Sequence, residues 1–156
     1  MRARMFLLGT ALIASLAACG SGSGHGANDT HSAAAAQTPA GIKVGQSSLG
    51  PILTDQDGRT LYAFTKDKDG TSSCTDDCIA TWPALASRQA VAVGAGADKA
   101  LLSQTTRAEG TAQATYGNWP LYYYVGDVGP GDVDGQGVDG VWFVVGADGK
   151  LIKATS

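Results

Sequence analysis

The chain has 156 residues, with 11 Lys and Arg against 14 Asp and Glu, and a formal net charge of −3 at pH 7. A mildly acidic chain with scattered lysines lacks the basic patch that binds nucleic acid or anionic lipid, which excludes both as charge-driven partners. All but one of the acidic residues are Asp, and 22 residues are Gly. Because Asp and Gly favour turns whereas Glu favours helices, this composition predicts a turn-rich β protein.

The N-terminus has the features of an export signal. Arg2 and Arg4 precede the apolar run Met5–Ala18, which is shorter than the roughly 20 residues of a transmembrane helix. The run ends in Leu16-Ala17-Ala18-Cys19, which resembles a lipobox, in which the cysteine is acylated and becomes the first residue of the mature chain. We therefore predict a signal peptide over residues 1–18 and a lipid anchor, palmitate included, at Cys19. The alternative is an ordinary secretory cleavage site with an incidental cysteine.

Residues 19–40 form a segment of low complexity, with Gly-Ser repeats and a run of four alanines. This composition predicts a disordered tether that holds the folded domain off the membrane. Both histidines of the chain, His25 and His31, lie in this segment, where they are either polar filler or a metal-binding tail. The predicted location is the cell envelope, lipid-anchored and extracytoplasmic, on the outer membrane if the cell has one.

The remaining residues, 41–156, are enough for a single domain and contain an internal repeat. The segment Leu61–Asp67 matches Leu121–Asp127 at an offset of 60 residues, and Trp82 matches Trp142 at the same offset. We predict a mainly β fold in which two similar antiparallel units, about 50–98 and 110–156, are related by a pseudo-twofold axis. The two units are expected to share one core, because a unit of so few strands is marginal alone.

The first unit is predicted to contain a hairpin and one helical turn. A strand at Ile52–Thr54 leads through a turn at 55–58 into a strand at 60–65, whose side chains alternate between two apolar faces. A short helical turn is predicted near 75–81, with Thr75 as its cap.

The second unit is predicted to contain three strands and a closing hairpin. The strands are Gln113–Tyr116, Leu121–Val125 and Val141–Val145, and Gly117-Asn118 forms the turn between the first two. Asp148-Gly149 is a turn signal that predicts the final hairpin.

These motifs together resemble those of a known bacterial family. The shared features are the repeated Tyr-x-aromatic-x-x-Asp segment, Cys74-x-x-x-Cys78, Trp82-Pro83, Tyr116-x-x-x-Pro120-Leu121-Tyr122, Gly129-Pro130-Gly131-Asp132, Gly135-Gln136-Gly137 and Trp142. The set is similar to that of the bacterial secreted-repeat lipoproteins, named for a Tyr-x-(Phe/Trp/Tyr)-x-x-Asp motif, and it covers nearly the whole folded domain. That family has no established biochemical function, so the resemblance implies an architecture rather than an activity.

Cys74 and Cys78 are the two cysteines of residues 41–156. In an exported protein such a pair oxidises by default, and across one helical turn the Cα atoms lie about 6 Å apart, within disulfide range. We predict a local disulfide. A redox-active pair is an alternative, against which the three-residue spacing counts, and a dithiolate metal site would lack further ligands.

The repeated motif and the paired tryptophans are the next candidate site. Their side chains are Tyr62, Phe64, Asp67 and Trp82 in the first unit and Tyr122, Tyr124, Asp127 and Trp142 in the second. In one interpretation the rings fill the core while each Asp accepts hydrogen bonds from N–H groups of the following turn. In the other, the rings form an aromatic wall with the aspartates as the polar ends of a ligand site. The first is favoured, because a duplicated residue is often one that the fold requires.

The segment 127–139 is the best candidate for a cation site. Its carboxylates lie among glycines and belong to Asp127, Asp132, Asp134 and Asp139. Oxygen ligands on a flexible loop suit Ca²⁺, which is the one candidate cofactor. The alternative is a polar loop whose aspartates form Asx turns.

A catalytic role is not expected. Residues 41–156 contain no histidine and no recognisable nucleophile, phosphate-loop or zinc-protease motif. The sequence predicts a non-catalytic binding or interaction module at a membrane surface, with an extracytoplasmic protein as a candidate partner and no bound nucleic acid. Calcium binding through 127–139 and redox work by Cys74 and Cys78 are the alternatives.

Overall fold

The structure is a computed structural model and describes residues 39–153. The predicted signal peptide, Cys19, both histidines and the tether up to residue 38 lie outside the described residues. The described strands are β1 (Gly41–Ser47), β2 (Gly50–Asp55), β3 (Tyr62–Phe64), β4 (Ala92–Val93), β5 (Leu102–Thr106), β6 (Ala112–Tyr116), β7 (Trp119–Pro120) and β8 (Trp142–Val144). Helical structure is confined, within this range, to α1 (Asp77–Thr81) and two 3-10 turns, Lys99–Leu101 and Val138–Gly140. The prediction of a mainly β fold with one short helical turn is confirmed.

The described strands form three small sheets. Their orders are β2-β1-β4, β3-β8 and β5-β6-β7, with the β1–β4 pair parallel and the other pairs antiparallel. The hairpin between β6 and β7 turns at Gly117 and Asn118, whose φ values of 58° and 71° are both positive. Two left-handed residues in succession are the geometry of a type I′ turn, which Asn and Gly favour.

The two repeats exchange backbone hydrogen bonds reciprocally. The Tyr62 N–H donates to the Tyr122 carbonyl at 2.8 Å, and the Tyr122 N–H donates back to the Tyr62 carbonyl at 2.9 Å. Farther out, Leu85 N–H donates to the Leu121 carbonyl just as Val145 N–H donates to the Leu61 carbonyl. Because every one of these positions has its counterpart 60 residues away, each motif strand pairs with the end of the other repeat. This is the predicted pseudo-twofold relationship.

Buried side chains form two clusters, which lie on opposite faces of the strand that includes β3 and Leu61. Leu61 and Ala63 belong to the first cluster, whereas Tyr62 belongs to the second and Phe64 packs against it. The predicted alternation of strand 60–65 is therefore confirmed. Both clusters also contain side chains of the second repeat, Leu121 among them in the first and Tyr122, Trp142 and Val144 in the second. The core is thus shared between the repeats, as predicted.

The predicted cap of the helical turn is wrong. The helix begins at Asp77, and its N-cap is Asp76, which lies at a φ of 49° and makes no side-chain capping bond. Thr75 contributes its carbonyl oxygen, which accepts from Cys78 N–H, rather than its hydroxyl. The chain enters the helix through a left-handed residue, which places the Thr75 side chain one position too early to cap it.

The predicted strand Leu121–Val125 is wrong in extent. The second motif contributes an isolated bridge at Tyr122, beyond the short strand β7. This segment lies beside Pro83 of the first repeat. The Tyr123 N–H donates to the Pro83 carbonyl at 2.8 Å, but proline has no N–H with which to return a bond, so the ladder stops. In the equivalent pairing of β3 with β8 that position is Phe143, opposite Ala63, and the ladder is continuous.

The predicted closing hairpin is present. Gly146 N–H donates to the Lys150 carbonyl at 2.8 Å, and Val145 pairs with Leu151 across the turn at Asp148-Gly149. The hairpin completes the first cluster, because Leu151 packs against its buried residues.

Candidate functional site

Four aromatic rings, two from each repeat, form one continuous stack. Phe64 lies on Trp142 with ring centroids 4.3 Å apart, Trp142 on Trp82 at 3.9 Å, and Trp82 on Tyr124 at 4.4 Å. The two tryptophans are parallel within 4°. Since Phe64 corresponds to Tyr124 and Trp82 to Trp142, the pseudo-twofold axis passes between the indoles. Stacked pairs of this kind each contribute about 0.5–1.5 kcal/mol beyond the area they bury.

The tyrosine of each motif bonds to the aspartate of the other. Tyr62 Oη donates to Asp127 Oδ2 at 2.8 Å, and Tyr122 Oη donates to Asp67 Oδ2 at 2.6 Å. Each carboxylate uses its second oxygen on the turn that follows it: Asp67 Oδ1 accepts from the N–H and hydroxyl of Ser73, and Asp127 Oδ1 accepts from Asp134 N–H. These four side chains therefore hold the repeats together, and their exchange between the repeats goes beyond the turn contacts that the sequence predicts for the aspartates.

Burial sets the charge state of these pairs. It raises the pKa of both Tyr62 and Tyr122 far above the ordinary value, and the neighbouring carboxylates raise it further. Burial also raises the pKa of Asp127, against the lowering effect of the Tyr62 hydroxyl. Both phenols are therefore fixed as hydrogen-bond donors across the physiological pH range.

An open groove lies beside the aromatic stack. It has a volume of about 500 Å³ and is lined by all four stacked rings together with polar side chains. Trp82 is 4% exposed and Trp142 is 3% exposed. Neither indole N–H has a hydrogen-bond partner among residues 39–153. Every fully buried side-chain nitrogen or oxygen in that range does have a partner, so the two indole nitrogens are not fully buried. Both indole N–H groups therefore reach solvent, and the groove is the cavity that the two rings line together.

Two short helical turns at corresponding positions form part of the groove rim. Helix α1 leads into Trp82, and the 3-10 turn Val138–Gly140 leads into Trp142. They place Asp77 and Asp139 at the groove, where neither carboxylate accepts a hydrogen bond from any described residue. Lys66 lies at the Phe64 end, with Nζ 5.8 Å from that ring's centroid. The rim thus carries exposed groups of both charges around an aromatic wall.

The predicted disulfide is formed. Cys74 and Cys78 are bonded, with their Cα atoms 5.3 Å apart. Cys74 is buried in the second cluster, whereas Cys78 is half-buried and lines the groove. The bond thus fixes the start of α1, one wall of the groove, to the core.

Arg107 is a structural residue that sequence reasoning missed. Its guanidinium is buried, with the residue 7% exposed, and donates to Cys74 O at 2.7 Å and to Ser72 Oγ at 2.8 Å. Ser72 Oγ is also hydrogen-bonded to Tyr122 Oη. The disulfide loop is therefore tied to the Tyr122–Asp67 pair through one buried cation.

Two carboxylates of the Asp-Gly segment 127–139, those of Asp127 and Asp132, already accept hydrogen bonds from the protein. Asp132 Oδ2 accepts from the N–H groups of Val128 and Gly129, at 3.0 and 2.7 Å, and both oxygens of Asp127 are engaged as described. Within residues 39–153, no three or more His, Cys, Asp or Glu side chains are placed to hold a metal ion. The turn interpretation accounts for Asp132, whereas Asp139 lies apart at the groove. These contacts favour the turn interpretation over the calcium site.

Comparisons with known proteins identify the repeat. A family model described as a secreted repeat of unknown function matches residues 43–86 and 103–146. Each matched range contains one Tyr-x-aromatic-x-x-Asp segment and one tryptophan of the stack, and each begins and ends earlier than the predicted units. No curated protein and no solved structure matches the chain. Of the helices that the structure describes, none has the length and apolar character needed to span a membrane.

Proposed function

Because the chain belongs to the family of secreted repeats of unknown function, we propose that it is a lipid-anchored extracytoplasmic protein whose folded domain is a non-catalytic binding module. The family places the chain outside the cytoplasm. The anchor and the binding activity are the two parts of the proposal, and each has its own test.

The anchor rests on the sequence at Cys19, which follows a short apolar run and a small-residue cleavage site. Expression of the full chain in bacteria fed labelled palmitate should yield a labelled protein that enters the detergent phase on phase separation. Cys19→Ser should lose both the label and the partition. A wild-type protein that is released unlabelled into the aqueous phase would contradict the anchor.

One observation carries the binding function: two almost fully buried indoles line an open groove, and their N–H groups reach solvent without a partner among residues 39–153. A donor left without a partner costs about 1–3 kcal/mol, so a groove of this kind is satisfied by water when empty and by acceptor atoms of a ligand when occupied. The volume of about 500 Å³ lies within the range of about 300–1,000 Å³ that small-molecule sites occupy.

The absence of catalysis is supported by the state of the buried polar groups. Asp67 and Asp127 are each held by a tyrosine hydroxyl, and burial keeps both phenols protonated. Residues 39–153 contain no histidine. These buried tyrosines and aspartates are thus committed to holding the repeats together.

The binding function is tested by the indole resonances of the full-length mature protein, labelled with ¹⁵N on tryptophan. A chemically diverse set of aromatic, anionic, peptide and saccharide compounds should contain members that shift the Trp82 and Trp142 signals. Trp119 is the internal control, because it packs against the first cluster on the other side of β3. Compounds that move Trp119 alone, or a set in which nothing moves the other two signals, would contradict the proposal.

A further inference from the structure

The groove combines hydrogen-bond donors, acceptors and apolar surface in one place. Among the residues that line it, Trp82, Trp142 and Lys66 carry N–H donors, and Asp77 and Asp139 carry carboxylate acceptors. The end rings of the stack, Phe64 and Tyr124, are half-buried and use one face each for stacking. A ligand that fills this groove must therefore both accept and donate hydrogen bonds while covering aromatic carbon.

Three ligand classes fit this set poorly. An anion meets two carboxylates against one lysine at the rim, so charge opposes it. A purely apolar molecule leaves both indole donors without acceptors. A proline-rich peptide offers carbonyl acceptors to the indoles, but proline has no N–H to give to Asp77 or Asp139.

A neutral sugar satisfies all the groups at once. Each sugar hydroxyl donates one hydrogen bond and accepts others, as a serine hydroxyl does. The C–H face of a pyranose ring is apolar and packs against aromatic side chains. Resting on the proposed binding function, we infer that the aromatic groove binds an uncharged saccharide, with its hydroxyls between the indole N–H groups and the two rim carboxylates.

The test is a fluorescence titration of the full-length mature protein carrying Trp119→Phe, which leaves the two groove tryptophans as the only indole fluorophores. The protein is kept in a zwitterionic phosphocholine detergent, because alkyl glycoside detergents are themselves saccharides. The probes are neutral oligomers of glucose, mannose and N-acetylglucosamine, with oligogalacturonate and a polyproline peptide for comparison. At least one neutral oligomer should give a saturable change in emission.

Variants then locate the bound sugar. Loss of the rim acceptors in Asp77→Ala together with Asp139→Ala should weaken the affinity about tenfold, which corresponds to about 1.4 kcal/mol. Both residues are exposed, but Asp139 lies at a φ of 54°, where alanine is strained, so the urea unfolding midpoint of the double variant is compared with that of the wild type. Asp148→Ala is the matched control, since it removes an exposed carboxylate from the closing hairpin, which does not line the groove, and should leave the affinity unchanged. Trp142→Phe, which removes one donor and keeps an aromatic ring, should also weaken binding about tenfold.

Each other result has a definite meaning. Binding that is unaffected by the rim and Trp142 variants would overturn the inference, as would binding of the polyproline peptide or oligogalacturonate alone. If no saccharide binds but other compounds shift the Trp82 and Trp142 indole resonances, the saccharide inference is wrong and the binding function stands. If no compound shifts those resonances, both are wrong.

Discussion

The hydroxyl of Tyr62 and the carboxylate of Asp127, 65 residues apart in the sequence, lie within hydrogen-bond distance at 2.8 Å. The corresponding pair, Tyr122 and Asp67, is joined at 2.6 Å. Each copy of the motif is therefore completed by the other copy, and neither repeat alone can satisfy its own tyrosine and aspartate. The tyrosines and aspartates thus hold the repeats together, whereas the paired tryptophans line the groove.

Removal of one buried hydroxyl should be costly. In Tyr122→Phe, Asp67 loses a donor in a site where it is 4% exposed, and Ser72 loses a partner. We expect the free energy of unfolding, measured by urea titration, to fall by about 2–3 kcal/mol. The matched control is Tyr124→Phe, whose hydroxyl has no hydrogen bond with any described residue. It should change stability by no more than about 0.5 kcal/mol. Equal losses in the two variants would contradict the role assigned to the exchanged pairs.

Asp127 and Asp148 should have pKa values on opposite sides of the ordinary value for an Asp carboxyl. Burial raises the pKa of Asp127, whereas the Lys150 N–H, first among several donors, lowers the pKa of the exposed Asp148. The folded state therefore binds the Asp127 proton more tightly than the unfolded state does, and that contribution to stability is lost as the pH rises through the folded pKa. For Asp148 the contribution is present above the unfolded pKa and is lost as the pH falls through the folded pKa.

Carboxyl ¹³C resonances followed against pH measure both groups in one sample. Asp127 should titrate above the model-compound value of about 3.9 and Asp148 below it. An Asp127 midpoint at or below that of Asp148 would show that its site is open to water, contrary to the buried contact with Tyr62.

The disulfide should add a modest amount to stability. Because it closes a very short loop between Cys74 and Cys78, the chain-entropy contribution is about 2 kcal/mol. Cys74→Ala with Cys78→Ala should lose about that much in urea unfolding, and the reduced wild-type protein should agree with it. Unchanged stability on reduction would instead favour a pair that opens for redox work.

Calcium should not raise the melting temperature. Asp132 Oδ2 already accepts two backbone N–H groups, and both oxygens of Asp127 are engaged. A Tm measured in excess EDTA and again in millimolar Ca²⁺ should agree within about 1 °C, because a ligand that binds the folded state would raise it by mass action. A rise of several degrees that disappears in Asp132→Ala would establish the cation site instead.

The repeat, the alternation of β3 and the closing hairpin could be predicted because each leaves a local signal. Tyr and Trp are rare enough that their recurrence 60 residues apart marks a duplication. Residues 60–65 alternate with the period of a strand, and the structure puts Leu61 and Tyr62 in different clusters. Cys74 and Cys78, four residues apart, likewise predict the disulfide that joins them.

Features that depend on the partner repeat could not be predicted. Leu121–Val125 has the residues of a strand, but its ladder is broken by Pro83, which is distant in sequence and adjacent in space. Strands β1 and β5 were missed because both are rich in Gly, Ser, Thr and Gln and carry partly exposed side chains. Arg107 lies between Thr-Thr and Ala-Glu-Gly, a context typical of a surface turn, and its burial follows from the carbonyl and hydroxyl partners that the fold brings to it.

The proposed binding site requires that the indole N–H groups of Trp82 and Trp142 be open to the groove although their rings are buried. Hydrogen exchange of the tryptophan side chains, read by NMR on the full-length mature protein, measures this. We predict that the Trp82 and Trp142 indole protons exchange within the range of the half-buried Trp119, much faster than the backbone N–H of Tyr62 and Tyr122 between the repeats. Indole protons that exchange as slowly as those two amides would show that the donors are sealed in the core, and the groove would lose the feature that makes it a binding site.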